Sequence, residues 1–594
     1  MTRSRRRWRS VTLLLIVVAL VGAACGAPTD PTASSPPPAS SQPVTAVPSA
    51  GPFEPIAWPP PGGGAPCDQA QAPDPDHAPY AGLIRRIRAI DPSTVEFRLC
   101  APDVGFPTRL ALAAFGINDT AWLQTRIDPE RSGEQAIVGE VNGTGPYRLE
   151  DWNRGADVTL GRNEAYWGAP AGNERVIVRW RDDAADRLAE LQAASVDGVD
   201  DVGPGGLEAI EADVEMQAVP RAGLNTFYIG FNNTYAPFDN PRVRQAIAMG
   251  IDRDRLVAAF FPAGSEVASH FSPCAIPLGC NGDPWYEFDP SAARQLLAAA
   301  GFSDGFETTI QYRDVARPYL PDPTAVATEL QAQLLVNLNI RAELEVMPEA
   351  TFLDTVDNGG ADGIHLLGRV AGVPEISSLL DPHFGAGASR EFGTPVDAVV
   401  DALTAGAATI DEAARATAYT DANTAIRANV PMIPIAHAGS LTAYRADVDG
   451  AVASPLRYER FAAMTPGDRT QLVWLAAGAP TGLYCADETD PVANVVCSQL
   501  VEGLYAFAPE SASVVPALAT SCEPNPELTT WRCTLRPGVT FHDGTALDAN
   551  DVVLSFIAQW DADHPLHRGR DGTFQPFIDT FGGLLNPLST AQVP

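Results

Sequence analysis

The sequence contains no lysine. All 40 basic residues among its 594 are arginine, and they stand against 73 aspartates and glutamates. We attribute the missing lysine to a coding bias toward high GC content rather than to chemistry. The net charge is −33, and a surface of that sign repels nucleic acid and anionic lipid. We therefore predict that nucleic acid is not a partner.

Motifs of catalysis and metal binding are also missing. The sequence has no nucleophile elbow, phosphate-binding loop or His-Glu-x-x-His segment, and none of its nine cysteines forms a Cys-x-x-Cys pair. His564 and His567, with Asp561 and Asp563, have a spacing typical of metal ligands. They fall in a loop-like run, where solvated polar residues are the simpler interpretation. We predict no enzymatic activity, no cofactor and no metal site.

The N-terminus has the layout of an export signal. Five arginines precede the apolar run 11–21, and small residues at 22–24 stand before Cys25. The run is shorter than the about 20 residues that span a bilayer, and no second segment could span one. Small residues followed by cysteine resemble a lipobox, which predicts a signal over 1–24 and a lipid on Cys25. Gly22 departs from the usual lipobox residue, so an ordinary signal with an incidental cysteine is the alternative.

Cleavage and lipidation would place the mature chain on the outer face of the cytoplasmic membrane. The signal holds five arginines and no acids, so its removal changes the net charge from −33 to −38. Residues 25–66 are rich in proline, serine, alanine and glycine, and such a stretch cannot bury a core. We predict an extended spacer there, although a disordered tail would have the same composition.

The remaining eight cysteines are an even number in an exported chain, which predicts disulfides. Three pairs lie close in sequence, and the last two cysteines pair by elimination. The predicted disulfides are Cys274–Cys280, Cys522–Cys533, Cys485–Cys497 and Cys67–Cys100.

Helix and strand patterns alternate through the middle of the chain. Asn240 and Asp289, each followed by proline, predict helix starts, and a further helix is predicted over about 323–336. Strands are predicted at 94–99, 176–180, 227–231 and 340–346. This alternation indicates α/β domains with mixed sheets.

Several motifs resemble the family 5 extracellular solute-binding proteins, which are the oligopeptide, dipeptide and nickel receptors of ABC importers. They are Gly-Thr-Gly-Pro-Tyr-Arg-Leu at 143–149, Asn-Glu-Ala-Tyr-Trp-Gly at 163–168, and the run from 228 through 247 that contains Pro-Phe-Asp-Asn-Pro-Arg-Val-Arg-Gln-Ala-Ile. The resemblance implies a two-lobed periplasmic-binding-protein-like fold of type II with an extra subdomain. It also implies a monomer that binds a peptide or small molecule and works with ABC permease subunits.

The order of the motifs indicates a circular permutation. Segments that open the mature chain in this family stand here near the C-terminus, at 472–476, 535–545 and 549–552, while 80–99 resembles what usually follows them. The usual C-terminal end, near Pro466, runs into the usual first strand at Gln471. New termini are predicted after Phe577 and before Tyr80. The alternative is a tandem array in which residues 471–594 begin a truncated second copy.

The resemblance also implies a division into domains. We expect lobe I over 142–245 with 440–504, lobe II over 246–439, and a permuted subdomain over 67–141 with 505–594. The chain should cross between the lobes near 225–232 and 433–440, and these crossings would form the hinge.

The expected ligand site lies between the lobes. In peptide-binding relatives, a Trp-x-Ala-Asp segment supplies an aspartate that pairs with the ligand's amino terminus. In the matching stretch 368–375, Gly372 takes the aspartate position and Arg369 the tryptophan position. Arg369 could pair with an anionic group and Glu375 with a cationic one, unless both are surface residues.

Three further residues are candidates for the ligand site. Tyr484, Asn225 and Tyr228 could line the pocket, unless they pack in the core or at the hinge.

These observations predict a substrate-binding lipoprotein of an ABC importer. It would capture a peptide-like or other small polar solute by hinge closure and deliver it to a membrane permease. A signalling or adhesion lipoprotein that retains the fold is the alternative. A hydrolase of envelope material has no candidate residues in the sequence.

Overall fold

The computed structural model describes residues 53–60, 67, 80–131, 133–203 and 205–587. The predicted signal, Cys25 and most of the predicted spacer lie outside these residues. No helix among the described residues is long and apolar enough to cross a lipid bilayer.

Within the described residues, the strands in chain order are β1 Ala57–Trp58, β2 Ile84–Asp91, β3 Thr94–Leu99, β4 Tyr147–Asn153, β5 Asp157–Arg162, β6 Arg175–Trp180, β7 Gly198–Val199, β8 Met216–Arg221, β9 Asn225–Phe231, β10 Glu266–Val267, β11 Glu307–Tyr312, β12 Arg341–Val346, β13 Ile364–Val370, β14 Met432–His437, β15 Ser440–Arg445, β16 Val448–Asp449, β17 Thr465–Pro466, β18 Gln471–Ala476, β19 Tyr505–Phe507, β20 Val514–Pro516, β21 Ala519–Pro524 and β22 Thr530–Leu535.

The α-helices of the same part of the chain are α1 Phe106–Arg109, α2 Thr120–Arg126, α3 Ala184–Gln192, α4 Gly206–Glu211, α5 Pro241–Gly250, α6 Arg253–Phe260, α7 Pro290–Ala299, α8 Pro323–Leu338, α9 Glu349–Asp357, α10 Ile376–Phe384, α11 Asp397–Ala407, α12 Glu412–Asn429, α13 Pro491–Leu500, α14 Ala549–Trp560 and α15 Gln575–Phe581. Short 3-10 helices cover Ala113–Phe115, Ala136–Val138, Phe461–Ala463 and Cys485–Asp487.

Local capping explains why two of the predicted helices form where they do. Asn240 Oδ1 accepts a hydrogen bond from Arg242 N at 3.0 Å at the start of α5. Asp289 Oδ1 accepts from Ser291 N and Ala292 N at 3.0 and 2.9 Å at the start of α7. In both helices proline follows the cap, where its missing N–H costs nothing. Both predicted helix starts are confirmed.

The first lobe is built on a seven-stranded sheet with the order β4-β5-β6-β18-β7-β15-β8. Strand β18 comes from the C-terminal part of the chain, yet it lies at the centre and pairs in parallel with both β6 and β7. Its Trp474 is buried in the core of this lobe. Residues 471–476 therefore complete this sheet.

The second lobe is built on a six-stranded sheet with the order β10-β14-β9-β13-β11-β12. Every residue of the central strand β9 is buried, as expected for a strand covered on both faces. Helix α5 also packs into this core through Val243, Ala246 and Ile247. Residues 225–245 therefore belong to the second lobe, whereas the sequence placed them in the first. The expected boundary at 245 was placed near the end of the motif at 228–247, but the strand in that motif, β9, belongs to the sheet of the second lobe.

The subdomain is built on a five-stranded sheet with the order β1-β2-β3-β22-β21. Strand β3, from the N-terminal part of the chain, pairs antiparallel with β22, from the C-terminal part. Helix α14, which also comes from the C-terminal part, packs on this sheet. Segments from near both ends of the described residues thus form one core. The hairpin of β19 and β20 departs from the expected grouping, because Phe507 and Ala512 pack in the core of the second lobe.

Part of the predicted spacer is ordered as strand β1. Ala57 and Trp58 pair with β2, and Ile56 N donates to Asn550 Oδ1 at 2.9 Å. Trp58 Nε1 donates to Asp561 Oδ2 at 2.9 Å. The prediction of a spacer up to residue 66 is wrong for 53–60, because Phe53, Ile56 and Trp58 give this proline-rich stretch enough apolar surface to pack.

Four disulfides join the eight cysteines of the folded body. They are Cys67–Cys100, Cys274–Cys280, Cys485–Cys497 and Cys522–Cys533, the same pairs that the sequence predicts. The last of them links directly opposed residues of β21 and β22.

Two of the sequence motifs meet at one buried acid. Glu502 accepts hydrogen bonds from Thr144 Oγ1 at 2.9 Å, Tyr166 Oη at 2.8 Å and Trp167 Nε1 at 2.7 Å. Burial raises the pKa of Glu502 even though these donors oppose the rise. The Gly-Thr-Gly-Pro-Tyr and Asn-Glu-Ala-Tyr-Trp segments are therefore structural partners that fix the start of β4 against α13.

Candidate functional site

The candidate site is a cavity of about 570 Å³ where the two lobes meet. Both lobes, the subdomain and the chain crossings contribute to its wall. Binding pockets for small molecules usually measure about 300–1,000 Å³. The volume therefore suits a small solute or a short peptide.

The chain crosses between the lobes twice, and both crossings line the cavity. The first runs from the end of β8 at Arg221 to the start of β9 at Asn225, and the second joins β14 to β15 through Ala438 and Gly439. A Cβ atom added to Gly223 would lie 2.1 Å from Ala438 O. Backbones this close leave no room for a side chain at position 223. The observed crossings at 222–224 and 438–439 are shorter than those expected from the sequence.

Asn225 ties the two crossings together. Its Nδ2 donates to Ala438 O at 2.7 Å, and its Oδ1 accepts from Ala438 N at 2.9 Å. The amide side chain of Asn225 thereby bonds to both backbone polar groups of Ala438, as a neighbouring strand would. His437 adds a third bond, because its Nδ1 lies 2.8 Å from Asn225 O. Burial lowers the pKa of His437 to about 4, so this imidazole is neutral at physiological pH and donates through Nδ1.

A buried network of charges stands behind the first-lobe wall. Arg221 Nη1 donates to Asp200 Oδ1 at 2.6 Å, and its Nη2 donates to Glu459 Oε1 at 2.5 Å. Burial by itself would raise the pKa of Asp200, but the positive charges of Arg221 and Arg457 outweigh it and hold that pKa below its usual value. Burial raises the pKa of Glu459 despite Arg221.

Arg457 extends this network to the cavity. Its Nη1 donates to Asp200 Oδ2 at 2.6 Å, and a third of its side chain is exposed. The backbone at Arg457 has φ of +61°, and that at Asp201 has φ of +48°. Both residues line the cavity. Such conformations disfavour residues other than glycine and are frequent at functional sites.

The predicted residues Arg369 and Glu375 flank the cavity wall without forming it. Between them, Val370, Ala371 and Gly372 line the cavity. Arg369 Nε donates to His383 Nε2 at 3.1 Å on the far side of β13. Glu375 is buried, pairs with Arg415 and caps α10. Its carboxylate is therefore already used by the protein.

Of the other predicted lining residues, only Asn225 lies on the wall. Tyr228 is fully buried and donates to Glu391 Oε1 at 2.7 Å. Tyr484 is buried in the core of the subdomain. Both tyrosines thus agree with the interpretation as core residues, because Tyr228 packs in the core of the second lobe and Tyr484 in that of the subdomain.

Gly372 lies on the cavity wall in an open position. A Cβ atom added there would meet no atom within 4 Å. The space that an aspartate would fill is therefore present, but the side chain is not. No group of three or more His, Cys, Asp or Glu within the described residues could hold a metal ion.

Comparison with known proteins identifies the kind of molecule that has this geometry. A family model described as "Bacterial extracellular solute-binding proteins, family 5 Middle" matches residues 49–391 and 513–578, which is more than half of the chain. Heme-binding protein A of Haemophilus influenzae is 26% identical over 395 residues, which cover 64% of this chain and 70% of that protein. Di/tripeptide-binding protein 1 of Pseudomonas aeruginosa is 27% identical over 391 residues, covering 65% and 72%.

A solved structure supports the same assignment. HbpA2 from Haemophilus parasuis superposes with a TM-score of 0.59 at 27% identity, over 64% of this chain and 75% of that one. These similarities confirm the resemblance found in the sequence and the two-lobed mixed α/β fold.

We expect the Asn225→Ala variant to lose stability at the crossings. The change removes two hydrogen bonds and leaves the N–H and C=O of Ala438 without partners, which should lower the free energy of unfolding by about 2 kcal/mol. Urea unfolding followed by tryptophan fluorescence measures this loss. Asn358→Ala, at an exposed helix end, is the control and should change stability by less than about 0.5 kcal/mol. Equal stability of the two variants would contradict the role of Asn225.

Proposed function

Since the chain belongs to the family 5 bacterial extracellular solute-binding proteins, we propose that it is the substrate-binding lipoprotein of an ABC importer. It captures a peptide-like or other small polar solute between its lobes and delivers it to a membrane permease. Members of this family are receptors that bind substrates, not enzymes. The observation that carries the proposal is the cavity of about 570 Å³ at the two chain crossings, with walls from both lobes.

The geometry of the crossings supports capture by hinge closure. Two short backbone segments, at 222–224 and 438–439, connect the sheets of the lobes. Rotation about such a pair of segments opens and closes a cleft without rearranging either core. A closed receptor buries its solute and presents one defined surface to a permease.

The open wall at Gly372 bears on the class of solute. Peptide-binding relatives are expected to hold the ligand's amino terminus with an aspartate at this position. Without that carboxylate, a free amino group is not required for binding at the second lobe. The names of the relatives, a heme-binding and a di/tripeptide-binding protein, show that ligands differ among proteins about equally similar to this chain.

Binding can be tested with the purified mature protein. We expect a thermal shift with at least some members of a panel of dipeptides and tripeptides, and a solute retained in native mass spectrometry. A sugar and a nickel salt in the same panel serve as controls for other ligand classes. A protein that binds no small solute, and instead retains a surface protein in a pull-down, would favour the signalling or adhesion alternative.

We propose further that a lipid on Cys25 anchors the mature chain to the outer face of the cytoplasmic membrane. The arginine-rich start, the short apolar run and the small residues before Cys25 support this anchor. The Cys25→Ser variant should leave the membrane fraction and lack the mass of the acyl chains. Retention of this variant in the membrane fraction would contradict the anchor.

The circular permutation is also proposed, and three observations support it. Both ends of the described chain bind Asp561, since Trp58 Nε1 donates to Oδ2 and Asn586 Nδ2 donates to Oδ1, each at 2.9 Å. Chain ends that lie together are those that a permutation can join. The family model matches in two separate blocks, and C-terminal strands complete sheets begun near the N-terminus. The expected break after Phe577 falls inside α15, which runs to Phe581, so we place the proposed junction after the end of this helix.

A reordered chain tests the permutation. It begins at Asp468 in the exposed turn between β17 and β18, joins Pro587 to Phe53 by a short Gly/Ser linker, and ends at Gly467. We expect it to fold with the same four disulfides and to give the same thermal shift with the same dipeptides as the original order. A reordered chain that remains unfolded would count against the permutation.

A further inference from the structure

The two walls of the cavity differ in charge. The second lobe contributes Pro262, Pro318, Val370, Ala371 and Gly372, so its described part of the wall carries no charged side chain. All charged side chains among the described lining residues come from the first lobe and the subdomain. They are Asp201, Arg221, Arg457, Glu488 and Asp579. A solute that fits both walls is therefore polar on one side and apolar on the other.

Most of these charged groups already have partners within the protein. Asp201 Oδ1 accepts from Gly203 N at 3.1 Å, and Asp579 Oδ1 accepts from Gln575 Nε2 at 2.7 Å. Arg221 is bound to Asp200 and Glu459, and its one free donor, Nε, is fully buried. Glu488 accepts from Thr481 and Arg570. These groups stabilise the wall and leave little capacity for a ligand.

Arg457 is the exception among the cationic groups on the described wall. Its Nη1 is held by Asp200, and neither Nε nor Nη2 has a partner among the described residues. These two donors form the edge of a guanidinium that binds a carboxylate through two parallel hydrogen bonds. Asp200 is itself fixed by Arg221, so the guanidinium is oriented before a ligand arrives, which reduces the cost of binding.

The backbone at position 457 supports a role that needs the side chain. A φ of +61° suits glycine better than arginine. Two hydrogen bonds hold the turn that contains Arg457. Arg457 N donates to Ser454 O at 2.9 Å, and Ser454 N donates to Glu459 Oε2 at 3.4 Å. A turn that only connected two segments would be more stable with glycine here.

We infer that Arg457 anchors the solute by pairing its Nε and Nη2 with a carboxylate of that solute. The second lobe then closes over an apolar part of the same molecule, at Val370, Pro318 and Pro262. The ligand class is an amphipathic carboxylic acid, such as a peptide with a free C-terminus and an apolar side chain, for which a free amino group is not required. This inference rests on the proposed function and names the group that the cavity recognises.

Three related peptides serve as probes: Leu-Phe, N-acetyl-Leu-Phe and Leu-Phe amide. Isothermal titration of the mature protein should give similar affinities for the first two, within about threefold, because no carboxylate stands at Gly372 to pair with the amine. The amide should bind at least tenfold more weakly, because it lacks the group that Arg457 binds.

Two variants at position 457 separate recognition from folding. Arg457→Gly suits the positive φ and removes the guanidinium, so it should fold and bind Leu-Phe as weakly as the wild type binds the amide. The affinity of this variant for Leu-Phe amide should equal its affinity for Leu-Phe. Arg457→Lys keeps the charge without the two-donor edge and should be intermediate. Arg445→Met, on the first lobe outside the cavity wall, is the matched control and should bind normally.

The outcomes distinguish this inference from the proposed function. Equal binding of the acid and the amide, or an Arg457→Gly variant that folds and binds Leu-Phe as the wild type does, would overturn the role of Arg457 and leave the receptor intact. A wild type that binds none of the three probes would contradict capture of a peptide-like solute, and the inference would fall with it. Circular dichroism and the thermal midpoint report the folding of each variant.

Discussion

The close contact between the two chain crossings is the constraint on which the arrangement of the lobes depends. Backbone segments pass within van der Waals distance at Gly223 and Ala438, where no side chain fits, and Asn225 bonds to both polar groups of Ala438. These two adjacent crossings form the connection between the lobes, and each lobe keeps its own sheet and core. That connection forms the floor of the cavity, so motion at the hinge and the shape of the ligand site are linked.

Several strands pair with partners that lie far away in the sequence. Strand β18 lies at the centre of the first lobe, and β22 lies beside β3 in the subdomain, although sequence order places them far from their partners. A sheet is stabilised by strand pairing and by burial of its side chains, and neither depends on where the chain begins. A permuted order thus preserves the lobes, the crossings and the cavity. The described chain begins with β1, which pairs with β2 at the edge of the subdomain sheet.

Local signals in the sequence predict local structure, but they do not predict contacts between residues that are far apart in the chain. The caps at Asn240 and Asp289 act within three residues and were predictable, as were disulfides between nearby cysteines. Arg457 gains its role from Asp200, 257 positions away, and Asn225 from Ala438, 213 positions away. No motif marks either pair. Tyr228 and Tyr484 illustrate the converse, because an aromatic residue near a site has the same appearance in sequence whether it faces the cavity or the core.

The central claim is that this chain is a two-lobed receptor that closes on its solute. Spin labels at Val214→Cys on the first lobe and Val336→Cys on the second, both highly exposed positions, allow the distance between the lobes to be measured by double electron–electron resonance. Hinge closure predicts a longer and broader distance distribution without a solute and a shorter, narrower one at a saturating concentration of a dipeptide that binds. A distribution unchanged by a dipeptide whose binding is established in parallel by titration would contradict it.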